Sequence, residues 1–367
     1  MVLNIKSQTE LSGFYVVFNR TIINEKSGIY GISHLIEHLI SHNFNDSLIE
    51  EFQSDGIIWN AYTSPTNMVF YMMGLDKHIS KYKNKFLENL SYLDVSDDNF
   101  EIEKNSLLEE YTALFNIQSS SHLLNLYRKL FNSYNTIGKK EDIINITKKD
   151  CYEHREKYYI NPSKIINVSK NSPFNTDIVF NNNDNNFSVK YDFNENMKYE
   201  KYISMHKSSI IYASPIIEND WASVFFINYI LSNGLSSILY KNIRKKSGLV
   251  YYIKCNIDRM SDMSGINIIS TETDNNKVYE TMDNLNKTLK DKSFLTQEKF
   301  NNVKNSIINK IDTININRHN NIESFIKPDK WAIEKQIYNI TLDNIIDIYD
   351  KYFDYNNFHK SIDKKEF

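Results

Sequence analysis

The sequence predicts an α+β protein of two domains. Three observations carry this. The chain has 367 residues, enough for two hydrophobic cores. Strand-like runs are mixed with long helical patterns in both halves. Between the halves lies the asparagine-rich segment Phe180-Asn181-Asn182-Asn183-Asp184-Asn185-Asn186, followed by polar sequence to Glu200. The expected domains are 1–185 and 186–367.

Gly13-Phe14-Tyr15-Val16-Val17-Phe18-Asn19 reads as a strand, with Thr21-Ile22-Ile23 as the start of a short return. His34-Leu35-Ile36-Glu37-His38 follows on a helix with one apolar side, flanked by Gly31-Ile32-Ser33 and Leu39-Ile40. This is H-x-x-E-H, the inverted form of the H-E-x-x-H zinc-peptidase signature. Histidines four apart share a helix face, and Glu37 falls beside that face. Two imidazoles can then hold one Zn²⁺ while the carboxylate reaches a water. The bland alternative is a surface helix that happens to carry two histidines, and a third ligand is what separates the two readings.

Trp59-Asn60-Ala61-Tyr62 and Asn67-Met68-Val69-Phe70-Tyr71-Met72-Met73 read as two strands across a Ser64-Pro65-Thr66 turn. A helix then spans Phe100 to Tyr111, with Leu107, Leu108 and Tyr111 on its apolar side. Glu103 and Glu110 are two turns apart and share a face, whereas Glu109 points about 100° away. Glu110 on that face would complete a His₂Glu metal site, with Glu103 one layer behind. A solvated acidic face is the competing reading.

The second half begins with the β-like Ser209-Ile210-Ile211-Tyr212-Ala213. Helices are expected from Trp221 to Leu231 and from Ser236 to Lys245, the latter broken by Gly248. Strands follow at Val250 to Ile257 and Gly265 to Ser270, then helices near 275–290, 297–310 and 342–353.

H-x-x-E-H followed by Glu103-x₆-Glu110 resembles the pitrilysin and insulin-degrading peptidases, the inverzincins. The branch with mitochondrial processing peptidases and small bacterial peptidases is the most similar. The resemblance implies that His34, His38 and Glu110 bind Zn²⁺, that Glu37 is the general base, and that Glu103 is a supporting carboxylate. The gap from His38 to Glu110 is slightly short for the family, so the choice over Glu109 rests on the E-x₆-E register. Gly56-Ile57-Ile58-Trp59-Asn60-Ala61-Tyr62-Thr63-Ser64 looks like the family's G-x-x-x-N-A-x-T-S strand. The resemblance makes Asn60, Ala61 and Tyr62 an open edge on which substrate lies extended; a plain core hairpin is the alternative. Leu231-Ser232-Asn233-Gly234-Leu235-Ser236-Ser237, Leu239-Tyr240 and Arg244-Lys245-Lys246-Ser247-Gly248-Leu249-Val250-Tyr251 resemble a second family block. There the Arg and Tyr contact substrate and help stabilise the oxyanion, which implies those roles for Arg244 and Tyr251. A guanidinium and a phenol are suitable donors for that task. Tyr252 competes, but strand alternation favours Tyr251.

The family's domains are mostly antiparallel sheets with helices packed on one face, related by duplication. The second half keeps no H-x-x-E-H. Family members open with a longer hairpin before the zinc helix, so a sheet with one strand fewer is expected. The segment from Asn43 to Ser47 also looks trimmed.

His42 lies one turn beyond His38, about 5–6 Å along the axis. That spacing does not close a tetrahedron, so His42 is expected to be solvated or to support a ligand. His78, His122, His154 and His206 belong to no motif and are expected to be structural or exposed.

Net charge is −3 with both signs mixed, which leaves no basic footprint for nucleic acid. No apolar run reaches a membrane span. Met1 to Gln8 lacks the features of a signal or transit peptide. Cys151 and Cys255 read as free thiols, so a cytoplasmic protein is expected. The expected activity is zinc-dependent endopeptidase cleavage of unfolded peptides in a closed chamber, either scavenging or dedicated processing of a leader or precursor. The resemblance implies a homodimer with composite sites, with a heterodimer with a related chain as the variant. The rival is a non-catalytic scaffold subunit of the same fold; a peptide-binding or chaperone-like module is a third reading.

Overall fold

The computed structural model describes residues 1–7, 9–19, 21–131, 136–181, 207–217, 220–260, 264–316 and 333–363. The polar stretch from Asn186 to Glu200, and His206, lie outside these. The fold is α+β, with two mostly antiparallel sheets. The chain forms two compact units: residues 1–113, 134–186 and 314–326 in one, and 114–133, 187–313 and 327–367 in the other.

The first unit is built on strands β1 (Val2–Lys6), β2 (Leu11–Asn19), β3 (Ile58–Thr63), β4 (Asn67–Leu75) and β5 (Lys164–Ser169), in the order β1-β5-β2-β4-β3. Only β1 and β5 pair in parallel. Phe14, Val16 and Phe18 alternate with Tyr15 and Val17 along β2, so both faces of this central strand are buried. Helices α1 (Ile32–Ser41), α2 (Asp46–Ser54), α3 (Asp76–Ser91), α4 (Asp97–Asn116), α6 (Lys140–Asn145) and α7 (Lys148–Tyr158) belong here, with α5 (Gln118–Phe131) between them in sequence. Phe14 meets Phe86 of α3 edge-on, and Phe18 meets Tyr159 just after α7. The metal-motif helix α1 buries Ile32, Leu35, Ile36, Leu39 and Ile40.

The start of the chain differs from the sequence expectation. Val2–Lys6 forms a strand, and Thr21-Ile22-Ile23 does not return as one. Ile22–Asn24 is a single 3₁₀ turn. Thr21 donates its hydroxyl to the Ser64 carbonyl, and the Ile22 N–H reaches the Pro65 carbonyl at 3.4 Å. The β3–β4 turn therefore takes up the Ile22 N–H that a hairpin partner would have paired.

The second unit has strands β6 (Lys207–Ile217), β7 (Val250–Arg259), β8 (Ser264–Asp274) and β9 (His359–Asp363), in the order β7-β8-β6-β9, all antiparallel. Helices α8 (Trp221–Ser232), α9 (Val278–Lys290), α10 (Gln297–Ile316) and α11 (Leu342–Tyr352) enclose its core. The helix expected from Ser236 starts at Ile238, after a turn at Leu235–Ser237, and Tyr240–Lys245 is π-helical. The wide turn is closed by Lys246 N–H to the Lys241 carbonyl at 3.0 Å and ends at Gly248, φ +61°.

Helix α5 packs on β6 and β9, so a single cut of the chain at 185 separates it from the sheet it covers. His122 is the pin. It is 1 % exposed, and its two ring nitrogens meet the hydroxyls of Ser209 (2.9 Å) and Ser361 (2.7 Å). Burial lowers its pKa from 6.5 to about 4. Below pH 6.5 the unfolded chain takes up a proton that the folded site refuses, so stability falls as pH drops from about 6.5 to about 4. The loss expected from this residue is about 2–3 kcal/mol. Urea unfolding at pH 7 and pH 4.5 checks it, because His122→Gln should lose less stability over that interval than the parent chain.

Candidate metal and peptide site

Helix α1 is held at its N-terminus by groups brought from elsewhere in the chain. Gly31, its N-cap, has no side chain to offer the first N–H groups. Glu25 takes that role: its carboxylate accepts from Gly31 N–H (2.9 Å) and Ser33 N–H (3.0 Å). Burial pushes Glu25 up to about 7, opposed by those hydrogen bonds. Asp142 of α6 accepts from Gly28 N–H (3.0 Å) and Tyr30 N–H (3.1 Å) in the loop entering the helix. Ser33 and Tyr159 share a hydroxyl contact at 2.9 Å. The helix direction, and therefore its histidines, is fixed by these four residues.

His34 and His38 sit edge to face with ring centroids 5.0 Å apart. Glu110 of α4 reaches both: its Oε2 lies 3.4 Å from His34 Nε2 and 3.8 Å from His38 Nε2. One ligand atom from each of the three residues falls within 4.8 Å of the others. Donors around one tetrahedral Zn²⁺ stand roughly 3.3 Å apart at bond lengths near 2.0–2.1 Å. The triad is thus slightly wide, and small side-chain rotations would close it on an ion. Its chemistry, two imidazoles and a carboxylate with room for a fourth ligand, suits Zn²⁺.

The second nitrogen of His38 is directed at Glu103, Nδ1 to Oε2 at 3.2 Å. A carboxylate there fixes the imidazole orientation and leaves Nε2 for a metal. The other Glu103 oxygen lies 3.5 Å from His42 Nδ1, so His42 touches the supporting carboxylate and not the triad. His34 Nδ1 is buried without a hydrogen-bond partner. Burial, then the neighbouring His38 charge, lowers the His34 pKa to about 3. The imidazole is neutral at neutral pH, the form that ligates metals.

Glu37 is 7 % exposed, with Oε2 3.9 Å from His34 Nε2. Thr63, at the end of β3, donates its hydroxyl to the same oxygen at 2.8 Å. Burial raises the Glu37 pKa; the Thr63 bond and His38 oppose it, and Glu110 adds to it. The carboxyl is therefore tuned toward holding a proton, as a general base must after it acts.

β3 is an edge strand, paired with β4 alone. Trp59, Ala61 and Thr63 point to the side of α1, and Asn60 and Tyr62 alternate with them. Trp59 stacks on Phe44 at 4.7 Å and 20°. A groove of about 610 Å³ runs between α1, the start of α2 and β3, bounded by Glu37, Asp46, Ile49, Trp59, Ala61 and Glu103.

In the second unit, the Arg244 guanidinium lies 5.0 Å from the Tyr240 ring centroid and 4.9 Å from that of Tyr251. Tyr251 is 76 % exposed. Tyr252 faces the other way: burial pushes it up to about 12, with Glu272 beside it. A bulge between Val250 and Ile253 marks this corner of β7.

Reasoning from sequence missed Thr63, Glu25, Asp142 and Asp46. Thr63 had a signal, since it shares a strand face with Ala61. The others come into place only through contacts between distant segments.

Two family models match the chain: one described as insulinase (peptidase family M16) over residues 1–138, the other as peptidase M16 inactive domain over residues 122–307. The four residues His34, Glu37, His38 and Glu110 all lie in the first match. No curated protein shows a significant sequence match. Among solved structures, a protease from Helicobacter pylori is similar with TM-score 0.81 and 16 % identity, over 99 % of this chain and 96 % of that one. A peptidase M16 inactive domain from Pseudomonas fluorescens gives 0.79 and 14 %, over 100 % and 96 %. The periplasmic protease PqqL from Escherichia coli gives 0.69 and 10 %, over 98 % of this chain and 44 % of its own length. At these identities the structures speak for the fold. With one model matching half of the chain and the other matching the segment that holds the H-x-x-E-H helix, the protein belongs to peptidase family M16, the insulinase family.

Proposed function

We propose that this protein is a zinc-dependent endopeptidase that hydrolyses unfolded peptides bound as an extended strand. One observation carries the reading: a buried carboxylate, Glu37, is anchored by Thr63 beside a His34–His38–Glu110 triad whose second histidine is braced by Glu103. Zn²⁺ held by that triad would supply Lewis acidity toward a water and a peptide carbonyl. Glu37 takes the proton of the attacking water and delivers it to the leaving amine. Thr63 occupies one Glu37 oxygen, which leaves the other to move the proton. The open edge of β3 at Asn60, Ala61 and Tyr62 offers backbone groups to an extended peptide, which binds with little demand on its side chains. Arg244 and Tyr251 donate to the tetrahedral oxyanion.

The working unit in this reading is a homodimer with composite sites around a closed chamber, or a heterodimer with a related chain. The functional division is a metal-binding domain, 1–185, and a homologous domain, 186–367, that carries the Arg/Tyr pair. Its support is the shared strand order, β5-β2-β4-β3 in one sheet and β9-β6-β8-β7 in the other. We place the protein in the cytoplasm, because Cys151 and Cys255 are both free. No helix among the described residues is long and apolar enough to cross a membrane. A dedicated role in processing a leader or precursor fits a groove with its own charge pattern. The match of residues 122–307 to a model described as inactive favours a second reading, a scaffold subunit. That match leaves out His34, Glu37, His38 and Glu110.

Quenched unstructured peptides test the proposal. Cleavage is expected from the purified chain, lost after chelation and restored by about one equivalent of Zn²⁺ per chain. A chain that neither retains zinc nor cuts any peptide would be the scaffold.

A further inference from the structure

We infer that Glu25 is an acid-sensitive latch on the metal helix: its ionised carboxylate holds α1 where His34 meets Glu110, and a neutral side chain there frees the first turn and weakens metal binding. The inference rests on the metal-site reading and adds its regulation. Donors converge on this one carboxylate. Oε2 accepts from Gly31 N–H at 2.9 Å and Oε1 from Ser33 N–H at 3.0 Å, and the Ser33 hydroxyl adds to them. An ionised carboxylate suits the place because both of its oxygens only accept. A neutral carboxyl is a weaker acceptor and must place a proton among those donors. It also gives up the attraction between a negative charge and the positive end of the helix.

The freed groups would have no ready substitute. Gly31 has no side chain to cap with, and Ser33 is fully buried, so water does not replace the lost acceptor. Asp142 is occupied by the Gly28 and Tyr30 N–H groups. The next residue along is His34, which depends on this turn more than His38 does. Glu103 braces His38 through Nδ1, whereas His34 Nδ1 is buried with no hydrogen-bond partner among the described residues. His34 is aimed only by the backbone and packing of its own turn.

The surroundings bring the latch close to neutrality. Burial pushes Glu25 up to about 7, the bonds from Gly31 and Ser33 oppose it, and the Asp142 charge adds to it. Tyr159, facing it from the end of α7, is pushed up by burial and stays neutral. His154 of α7 packs on Tyr159 at 5.6 Å, and burial, then Lys157 and Lys26, lower it to about 4. Lys26 itself is exposed, and no cation pairs with Glu25 among the described residues. The folded site takes up a proton below about pH 7 that the unfolded chain takes up only near the usual 4.5. The contribution of Glu25 to stability therefore rises as pH falls through that window, the reverse of His122. Acid loosens the metal helix here without unfolding the chain.

Zinc affinity of the parent chain and Glu25→Gln, measured against a competing chelator at pH 8 and pH 6, tests this. Both carry the same histidines, so ligand protonation cancels in the ratio. Glu25→Gln should bind zinc about tenfold more weakly at pH 8, and within about twofold at pH 6, where the parent side chain is neutral as well. Without metal at pH 8, the Ser33 amide should exchange about tenfold faster in the variant, while urea unfolding gives it at least the parent stability. A ratio that does not change with pH, equal affinity at pH 8, or a variant that loses stability along with zinc overturns the latch. Asp142→Asn is a second test that leaves Glu25 in place. Asp142 accepts both of its N–H groups on Oδ2, and asparagine keeps one such oxygen. Removing that charge should shift the acid loss of zinc to lower pH, and an unmoved curve removes Glu25 as the titrating group. If the parent chain holds no zinc at either pH, the metal-site reading falls and the inference with it.

Discussion

Glu37→Gln should lower peptide cleavage by about 10²–10⁴-fold while one zinc per chain is retained. The substitution keeps the side-chain shape and still allows an oxygen to accept the Thr63 hydroxyl, now at 2.8 Å from Oε2. It removes the ability to take a proton. Metal retention follows from the geometry: His34, His38 and Glu110 form the triad, and Glu37 stands beside it. Folding should be barely affected. Glu37 is buried and its pKa is raised by that burial, so a neutral isostere carries less desolvation cost. Kinetics, metal analysis and a denaturation curve on the same preparation separate the possibilities. A variant that cuts within threefold of the parent rate would remove Glu37 as the base. One that loses its zinc as well would move Glu37 into the ligand set.

The parts of this site that were legible in the sequence are local ones. His34 and His38 declare themselves because four residues bring two side chains to one face. Glu110 follows from its seven-residue spacing to Glu103, and the hairpin from Ser64-Pro65-Thr66 between two apolar runs. Long-range pairing was not legible. β1 finds its partner in β5, with Val2 opposite Ile165, and no local pattern announces that parallel pair. Glu25 and Asp142 hold neighbouring N–H groups of the one segment that enters α1, yet Asp142 arrives from 114 residues away. The π-helical turn at Tyr240–Lys245 has ordinary helix-forming residues, and hydrophobic periodicity does not separate i+4 from i+5 closure. The shape of the groove depends on where α2 starts after the short Asn43–Asn45 connection, which the sequence showed only as a trimmed segment.

In the proposed reading one half carries the metal chemistry alone, and the two sheets are compatible with that. Their shared order, β5-β2-β4-β3 and β9-β6-β8-β7, makes each sheet complete without a metal. In the first unit α1 follows the first central strand and presents two histidines. In the second, α8 follows β6 and buries Trp221, Val224, Phe226, Ile227, Ile230 and Leu231. That helix is apolar nearly all round, which suits a core element. The contrast places the chemistry on a helix that must stay half open and must therefore be steadied from outside its own sequence.

Gly138→Ala should be the costliest single-methyl change near the site, destabilising the chain by more than about 3 kcal/mol and weakening zinc binding. Gly138 has φ +80°, and a Cβ there would lie 2.3 Å from the Tyr30 carbonyl oxygen and 2.5 Å from Gly31 Cα. Both are backbone atoms at the entrance to α1, so no side-chain rotation relieves the contact. Gly31 faces it with φ +100°, and its own Cβ would meet the Ile137 carbonyl at 3.0 Å. The two glycines let two chain segments touch at the point where the metal helix begins. Separating them would pull the Gly31 and Ser33 N–H groups from Glu25 and shift His34 relative to Glu110. Gly28→Ala is the matched control: φ is +94°, but nothing lies within 4 Å of the added methyl. It should cost only the left-handed backbone penalty, about 1–2 kcal/mol. Urea curves with and without zinc measure both terms. If the two variants are equally stable and bind zinc equally, the close approach at Gly138 does not set the helix.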